Sequence, residues 1–280
     1  MNYINEIAEV ISNKKIAKNT YSAILKSPEI ADLAIAGQFV NILPNNSWEK
    51  AMRRPMSLAS RDDENIELIY KVFGEGTRLM NSWKIGENID IIGPLGNGWD
   101  LQSCIGKVPL NRPILIGGGV GIAPIMFLSQ IFEELNYDTQ IAPVIMGARS
   151  ANEHFLDHRP EEGVILSTDD GSLGVKGNVI DALEYALTIE DLGLKSCSME
   201  IFCCGPPMMM ESIKKYSESN NIDCQVALET IMACGFGICQ GCTVEYNENK
   251  DSVHSYRNKF GLVCLDGPVF DAKDIKTCKL

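Results

Sequence analysis

Three of the chain's ten cysteines crowd into one ten-residue stretch, "ACGFGICQGC" (233–242), and another follows in "GLVCLDGPVF". Cys234, Cys239 and Cys242 form C-x4-C-x2-C, and twenty-one residues separate Cys242 from Cys264. A tight loop offering three thiolates, with a fourth arriving from elsewhere, is the spacing of a [2Fe–2S] cluster. Gly235, Gly237 and Gly241 suit such a loop: they permit positive φ and let backbone N–H groups approach the sulfurs. Zinc is the rival, but zinc sites favour paired C-x2-C knuckles and only one is present. Buried structural thiols would not require this arrangement. Cys104, Cys197, Cys203, Cys204, Cys224 and Cys278 follow no ligand spacing among themselves. Cys203 is read as a small core residue, the usual place of a free cysteine.

A second stretch with chemical content is "RPILIGGGVGIAPIMFLSQIFEEL". It reads as a buried strand, a glycine turn with Gly119, Gly121 and Pro124, and an amphipathic helix with Ile125, Leu128, Phe132 and Leu135 at helical spacing. Such a turn lets backbone approach a pyrophosphate, and the helix start adds N–H donors; proline is at home in a first helical turn. A glycine turn alone is also what any tight strand-to-helix connection uses. The next strand ends Gly147-Ala148-Arg149 with no acidic residue to read a ribose, so NAD and NADP both remain open. In "CCGPP", Cys204 and Gly205 end another strand of the same kind. Ligands bind beyond the carboxyl ends of parallel strands, so Cys204 is a candidate to lie beside a nicotinamide.

These sites need a scaffold. "NIELIYKV" alternates, with Ile66, Leu68, Tyr70 and Val72 on one face, and short apolar runs between Gly, Pro and Asn turns extend to about residue 104; the pattern predicts a small antiparallel barrel. From residue 105 strands alternate with helices, the rhythm of a parallel α/β domain. The expected organisation is a barrel at 1–104, an α/β domain at 105–224 and a cysteine module at 225–280. A net charge of −12 argues against nucleic acid and anionic lipid as partners. The apolar run 114–128 is too short and too glycine-broken to span a membrane. The start, MNYINEIAEV, has no secretory n-region. A cytoplasmic protein is expected.

The order of parts, "RRPMS", then "GGGVGIAP" and "CGPP", then "LETIMACGFGICQGCTVE" and "VCLDGPVF", resembles the ferredoxin reductase superfamily. Within it the chain is most similar to the electron-transfer subunits of NAD-dependent dihydroorotate dehydrogenases, along essentially its whole length. The resemblance implies FAD in the barrel, NAD at the glycine turn and a [2Fe–2S] cluster on Cys234, Cys239, Cys242 and Cys264. It implies flavin contacts from Arg54, Pro55, Met56 and Ser57, with Arg54 on the pyrophosphate and Ser57 near the reactive flavin nitrogen. Ile69, Tyr70, Lys71, Gly76 and Thr77 would also meet FAD; without the resemblance they are ordinary strand and turn residues. For Arg53, next to Arg54, a solvated surface charge is an equally good reading. Met56 stands where the superfamily has tyrosine, Ala148 where the family commonly has an aromatic residue, and the 243–263 segment is longer than the family's. His154, His158 and His254 receive no role.

Ser57, by this resemblance, and Cys204, by its place at a strand end, are the candidates nearest the hydride step, and the cofactors carry the redox chemistry. The implied partner is an FMN-containing dihydroorotate dehydrogenase catalytic subunit in a heterotetramer, in pyrimidine biosynthesis. Three alternatives share features with this reading. One is the small subunit of a bifurcating NADH-dependent ferredoxin:NADP oxidoreductase or sulfide dehydrogenase, where an aspartate is expected in place of Cys234. Another is a diaphorase-like subunit. The third is a non-enzymatic ferredoxin-like carrier, which would have no use for a nicotinamide site.

Overall fold

The computed structural model describes residues 3–45, 52–105, 111–135, 142–248 and 255–279. His254 and part of the 243–263 segment lie outside them. Among the described residues, a closed barrel is formed by β1 (Ile4–Ala17), β2 (Thr20–Lys26), β3 (Phe39–Ile42), β4 (Arg54–Arg61), β5 (Asn65–Lys71) and β6 (Asn88–Leu95), in the order β1-β2-β5-β4-β3-β6. Neighbouring strands are antiparallel. Closure removes the exposed edges that an open sheet would leave. Ile66, Leu68 and Tyr70 are buried, as their alternation requires, but so is Ile69 on the opposite face. Helices α1 (Pro28–Leu33) and α2 (Glu75–Asn81) occupy barrel connections.

Arg53 is not a solvated charge. Its Nη2 pairs with Asp90 at 2.8 Å and its Nη1 donates to the carbonyls of Asn41 and Asp90, so it fastens the start of β4 to β3 and β6.

A connector with α3 (Gln102–Ile105) leads to a second sheet of β7 (Arg112–Gly118), β8 (Val144–Ala148), β9 (Val164–Thr168), β10 (Val175–Lys176), β11 (Met199–Cys204) and β12 (Asp223–Ala227). These run parallel in the order β10-β9-β8-β7-β11-β12. The helices are α4 (Ile122–Glu134), α5 (Val179–Thr188) and α6 (Pro207–Asn220). Ile125, Leu128 and Phe132 of α4 are buried, whereas Leu135 lies just beyond the helix and is 46 % exposed. On α4, Gln130 exchanges two hydrogen bonds with the backbone of Arg61, tying the helix to the barrel as well as to its own sheet.

A buried carboxylate anchors the connector. Glu200, near the start of β11, accepts from Ser103 and from Gln225, whose side chain also bonds the backbone N–H and carbonyl of Asp100. The cysteine region is continuous with this sheet. β13 (Thr243–Glu245) and β14 (Phe260–Leu262) form a short hairpin, and β15 (Val269–Asp271) adds antiparallel to β12. β12 itself runs across residue 225, so the sheet spans the boundary drawn from the sequence.

Candidate functional site: two clefts and a cysteine loop

The first cleft lies between the barrel and the parallel sheet. Pro55, Met56 and Ser57 of β4 line it together with Ile69, Tyr70 and Lys71 of β5 and Thr77 of α2. These are the sequence-selected positions, brought together because β4 and β5 are neighbours in the barrel. Arg54 and Gly76 flank the same end. A Cβ at Gly76 would fall 2.5 Å from Arg54 Nε, so the missing side chain is what allows the arginine to lie across the first turn of α2. Arg54 Nη1 donates to the carbonyls of Met52 and Arg53. The Thr77 hydroxyl accepts from the N–H groups of Phe73 and Gly74 and fixes that turn.

The opposite wall comes from Val120, Leu228, Glu229 and Thr230. Sequence reasoning passed over Glu229. It follows β12 at the carboxyl end of a parallel strand, the same rule that singled out Cys204. It opens onto the cleft, yet crowding on its protein side raises its carboxyl to about 7. Cys204 is 2 % exposed and packs in the core; burial, then the charge of Glu229, pushes its thiol well up. A thiol so held keeps its proton. The sequence assignment of Cys204 to a nicotinamide-facing position is therefore not matched by an exposed side chain.

The second cleft sits at the carboxyl ends of β7 and β8. Gly117, Gly118 and Gly119 form one side, Gly147 and Ala148 another, with Glu153 and His154 beyond. Thr20 and Lys71 close it from the barrel. Gly119 has φ +58° and only Pro206 within 4.0 Å of its missing side chain, an open approach to the backbone. Gly121 serves a different purpose. A Cβ there would lie 2.4 Å from the backbone of Cys204 and Gly205, so this glycine is needed for close packing of the two turns. Pro124 is buried in the first turn of α4. Of the three residues chosen in this turn, Gly119 faces the cleft and Gly121 and Pro124 support it from beneath.

Glu153 supplies an acid that the end of β8 lacks in sequence. It arrives on the short turn Ala151–Glu153 and pairs with Lys71 at 2.7 Å and Arg149 at 3.3 Å. The Lys71 ammonium, then Arg149, holds its carboxyl below the usual range against the effect of burial. Lys71 lines both clefts, so they meet at this ion pair. The two described histidines are satisfied structurally: a ring nitrogen of His154 lies 3.0 Å from the Ser167 carbonyl, and His158 Nδ1 accepts from Leu166 N–H.

The four selected cysteines come together as two pairs. Cys234 and Cys239 Sγ are 3.4 Å apart, and Cys242 and Cys264 Sγ are 3.2 Å apart. A tetrahedral metal with metal–sulfur bonds of about 2.3 Å needs sulfurs about 3.8 Å apart, so each pair is close to the bite of one iron. Among the described residues no three His, Cys, Asp or Glu side chains are arranged to hold a metal ion. Two pairs, each completed by bridging sulfides, fit a two-iron cluster better than one tetrahedral zinc. Burial works against ionisation of Cys234, but the N–H groups of Cys239, Phe236 and Ile238 bring its thiol down to about 7. In the other pair, Cys264 lowers Cys242 to about 6 while its own thiol is pushed up. Gly235 and Gly237 have φ +82° and +84°, as the loop reading requires; Gly241 has no such angle.

Residues 229–276 match the family described as the iron-sulfur cluster binding domain of dihydroorotate dehydrogenase B. Residues 115–215 match the oxidoreductase NAD-binding domain. A dihydroorotate dehydrogenase B (NAD(+)) electron transfer subunit from Fusobacterium nucleatum is 33 % identical, over 97 % of this chain and 98 % of the relative. The chain belongs to this family of electron transfer subunits. A second member, from Desulforamulus reducens, is 32 % identical over 94 % of this chain and 95 % of its own length. Among solved structures, an NADH-dependent reduced ferredoxin–NADP oxidoreductase studied for flavin-based electron bifurcation superposes with a TM-score of 0.80. It is 25 % identical and covers 98 % of this chain and 91 % of that one. A ferredoxin NADP+ reductase from Neisseria gonorrhoeae, at 17 % identity and a TM-score of 0.62, shares the fold over 77 % of this chain. The family's iron-sulfur region falls on the two sulfur pairs, and its NAD-binding region on the glycine turn and second cleft.

Proposed function

We propose that this chain is the electron relay of a dihydroorotate dehydrogenase: electrons from an FMN-containing catalytic subunit cross a [2Fe–2S] cluster and FAD and leave on NAD+. The work is divided among a FAD-binding barrel (1–104), an NAD-binding domain (105–224) and a cluster module (225–280). The observation that carries this reading is the segment from Leu228 to Cys234. Its first residues wall the first cleft and its last is the first of the four grouped cysteines, so cleft and cysteine loop are built on one stretch of seven residues.

Cys234 and Cys239 would hold one iron and Cys242 and Cys264 the other. Pro55, Met56, Ser57, Ile69, Tyr70, Lys71 and Thr77 would receive FAD, with Arg54 and Gly76 at its pyrophosphate. Gly119 would admit the nicotinamide dinucleotide, with Gly121 and Pro124 shaping the turn. When bound, FAD exchanges a hydride with the nicotinamide and single electrons with the cluster. The residues position and shield these groups. Lys71 closes the junction of the clefts, Ser57 faces the first cleft, and Cys204 supports the turn from the core. Cys239, Ile231 and Ile238 are exposed, the isoleucines at 90 % and 77 %, and this is the face offered to the partner. A heterotetramer in the cytoplasm is the assembly we propose. No helix among the described residues is long and apolar enough to cross a membrane.

The test begins with content: two irons, two acid-labile sulfides and one FAD per chain, and bleaching of the flavin bands by NADH. Stoichiometric zinc without labile sulfide overturns the cluster. Cys239→Ser replaces a soft ligand by a hard one and should cut dihydroorotate-to-NAD+ turnover with the partner by about a hundredfold, while NADH-to-dye transfer changes about twofold at most. Orotate production by the isolated chain would refute the division of labour.

A further inference from the structure

Strand β3 reads Phe39-Val40-Asn41-Ile42, and all four residues are buried. Three are apolar, as a barrel strand packed on both faces demands. Asn41 is only 1 % exposed and breaks the rule. Its Oδ1 is buried without a hydrogen-bond partner among the described residues. Packing alone would have placed valine or leucine here, because a half-satisfied buried amide is worse than an apolar side chain of similar shape. The other half of the amide is engaged: Nδ2–H donates to the Cys234 carbonyl at 2.8 Å.

The loop is fitted to this contact. A Cβ at Gly235 would lie 2.7 Å from Asn41 Nδ2, and Gly235 also has φ +82°, so glycine is required there on two counts. The strand side is equally fixed. Arg53, paired with Asp90, donates to the carbonyl of Asn41, and Asn41 lies opposite Pro55, a lining residue of the first cleft. In a trans peptide the C=O and N–H point in opposite directions. Tying the Cys234 carbonyl to the barrel therefore turns the Gly235 N–H away from it and fixes the peptide plane beside the first ligand. Groups that orient ligands in this way tune metal sites without touching the metal.

We propose that Asn41 is a positioning residue for the iron–sulfur loop, a strut from the flavin barrel that sets the Cys234 peptide and with it the seat of the Cys234–Cys239 pair. This rests on the reading of the four cysteines as cluster ligands.

The test uses the full chain as purified, with Asn41→Leu and Asn41→Val made in parallel so that either can decide. Four quantities are compared with wild type: FAD content, the unfolding midpoint, the rate of iron loss to a chelator, and the electron paramagnetic resonance spectrum of the reduced cluster. The expected result is unchanged FAD and a midpoint that does not fall, because the orphaned oxygen is gone. Iron should leave about tenfold faster, the scale of one lost hydrogen bond, and the g-values should shift. Wild-type iron loss and an unshifted spectrum in a folded variant overturn the proposal. So does loss of FAD or of the fold in both variants, which would make Asn41 a barrel residue and nothing more. Wild-type chain without iron and sulfide overturns the ligand reading itself, before any variant is made.

Discussion

The second cleft and the cysteine loop are built in opposite ways. The cleft stands on the ends of parallel strands, and its positions are fixed by backbone ladders: β7 pairs with both β8 and β11 in register. The loop from Thr230 to Gly241 belongs to no helix or strand. It is held from outside, by Asn41 on the Cys234 carbonyl, by Tyr3 stacked on Phe236, and by Leu265 against Gly237. The difference teaches where order comes from. The cleft is organised by the fold before any ligand arrives, whereas a loop with no strand ladder to hold it gains much of its order from the metal it binds.

Gly121→Ala is the harshest test of that contrast. The new methyl would lie 2.4 Å from the backbone of Cys204 and Gly205, atoms that ladders on both sides keep from retreating. The turn must shift, at about 1–3 kcal/mol or more. NADH reduction of the flavin should fall by about a hundredfold, since a displaced turn misplaces the reacting ring. Iron and sulfide content should stay at the wild-type level. Loss of iron in this variant would show that loop and cleft are not independently organised.

The same contrast explains what could be read in the sequence. The barrel and the parallel sheet were legible, and the four cysteines could be grouped, because alternation, strand–helix rhythm and cysteine spacing are local patterns. That Arg54 to Ser57 belong with Ile69, Tyr70, Lys71, Gly76 and Thr77 could be expected only through resemblance, because what brings them together is the pairing of β4 with β5 and the turn into α2. Arg53, Asn41 and Glu153 escaped because each is held by a residue far along the chain, Asp90, Cys234 and Lys71, and no short window contains both. Glu229 escaped because its crowding comes from the fold around it. A lone amide in an apolar strand, and an acid just past a parallel strand, are faint local signs that could have drawn attention to Asn41 and Glu229. Gly121 was singled out for approach to a ligand, and the structure adds a packing reason for it, because sequence does not show which bare backbone faces another turn.

A middle-sized effect probes the meeting point of the clefts. Lys71→Ala removes the ammonium that holds the Glu153 carboxylate and leaves Arg149 as its remaining ion-pair partner. Negative charge is then less compensated where a pyrophosphate is proposed to bind. NADH affinity, measured by titration, should weaken about tenfold, or ~1.4 kcal/mol. Glu153→Gln changes the charge in the opposite sense and should leave affinity equal or better. If both variants weaken binding alike, the pair works by holding barrel and sheet together and its charge is immaterial.

The smallest expected effect concerns Glu229, which stands five residues from Cys234 yet belongs by its surroundings to the cleft. Crowding lifts its carboxyl from an ordinary glutamate value to about 7 in the folded chain. Between about pH 4.5 and 7 the folded chain therefore keeps a proton that the unfolded chain has released. The stabilisation linked to this proton is fully present below the unfolded value and is lost as pH rises through the folded one. Because the carboxyl also opens onto the cleft, solvent softens the effect, and a shift of only about one or two degrees in the unfolding midpoint is expected. Glu229→Gln has no such proton to lose. Its midpoint relative to wild type should rise between about pH 5 and 7 and level off by pH 8, with no change in the rate of iron loss at any pH. Parallel curves for the two proteins would place the carboxyl in an ordinary watery setting. A pH-dependent change in iron loss would assign Glu229 to the loop and move the border between the two kinds of construction to the other side of this residue.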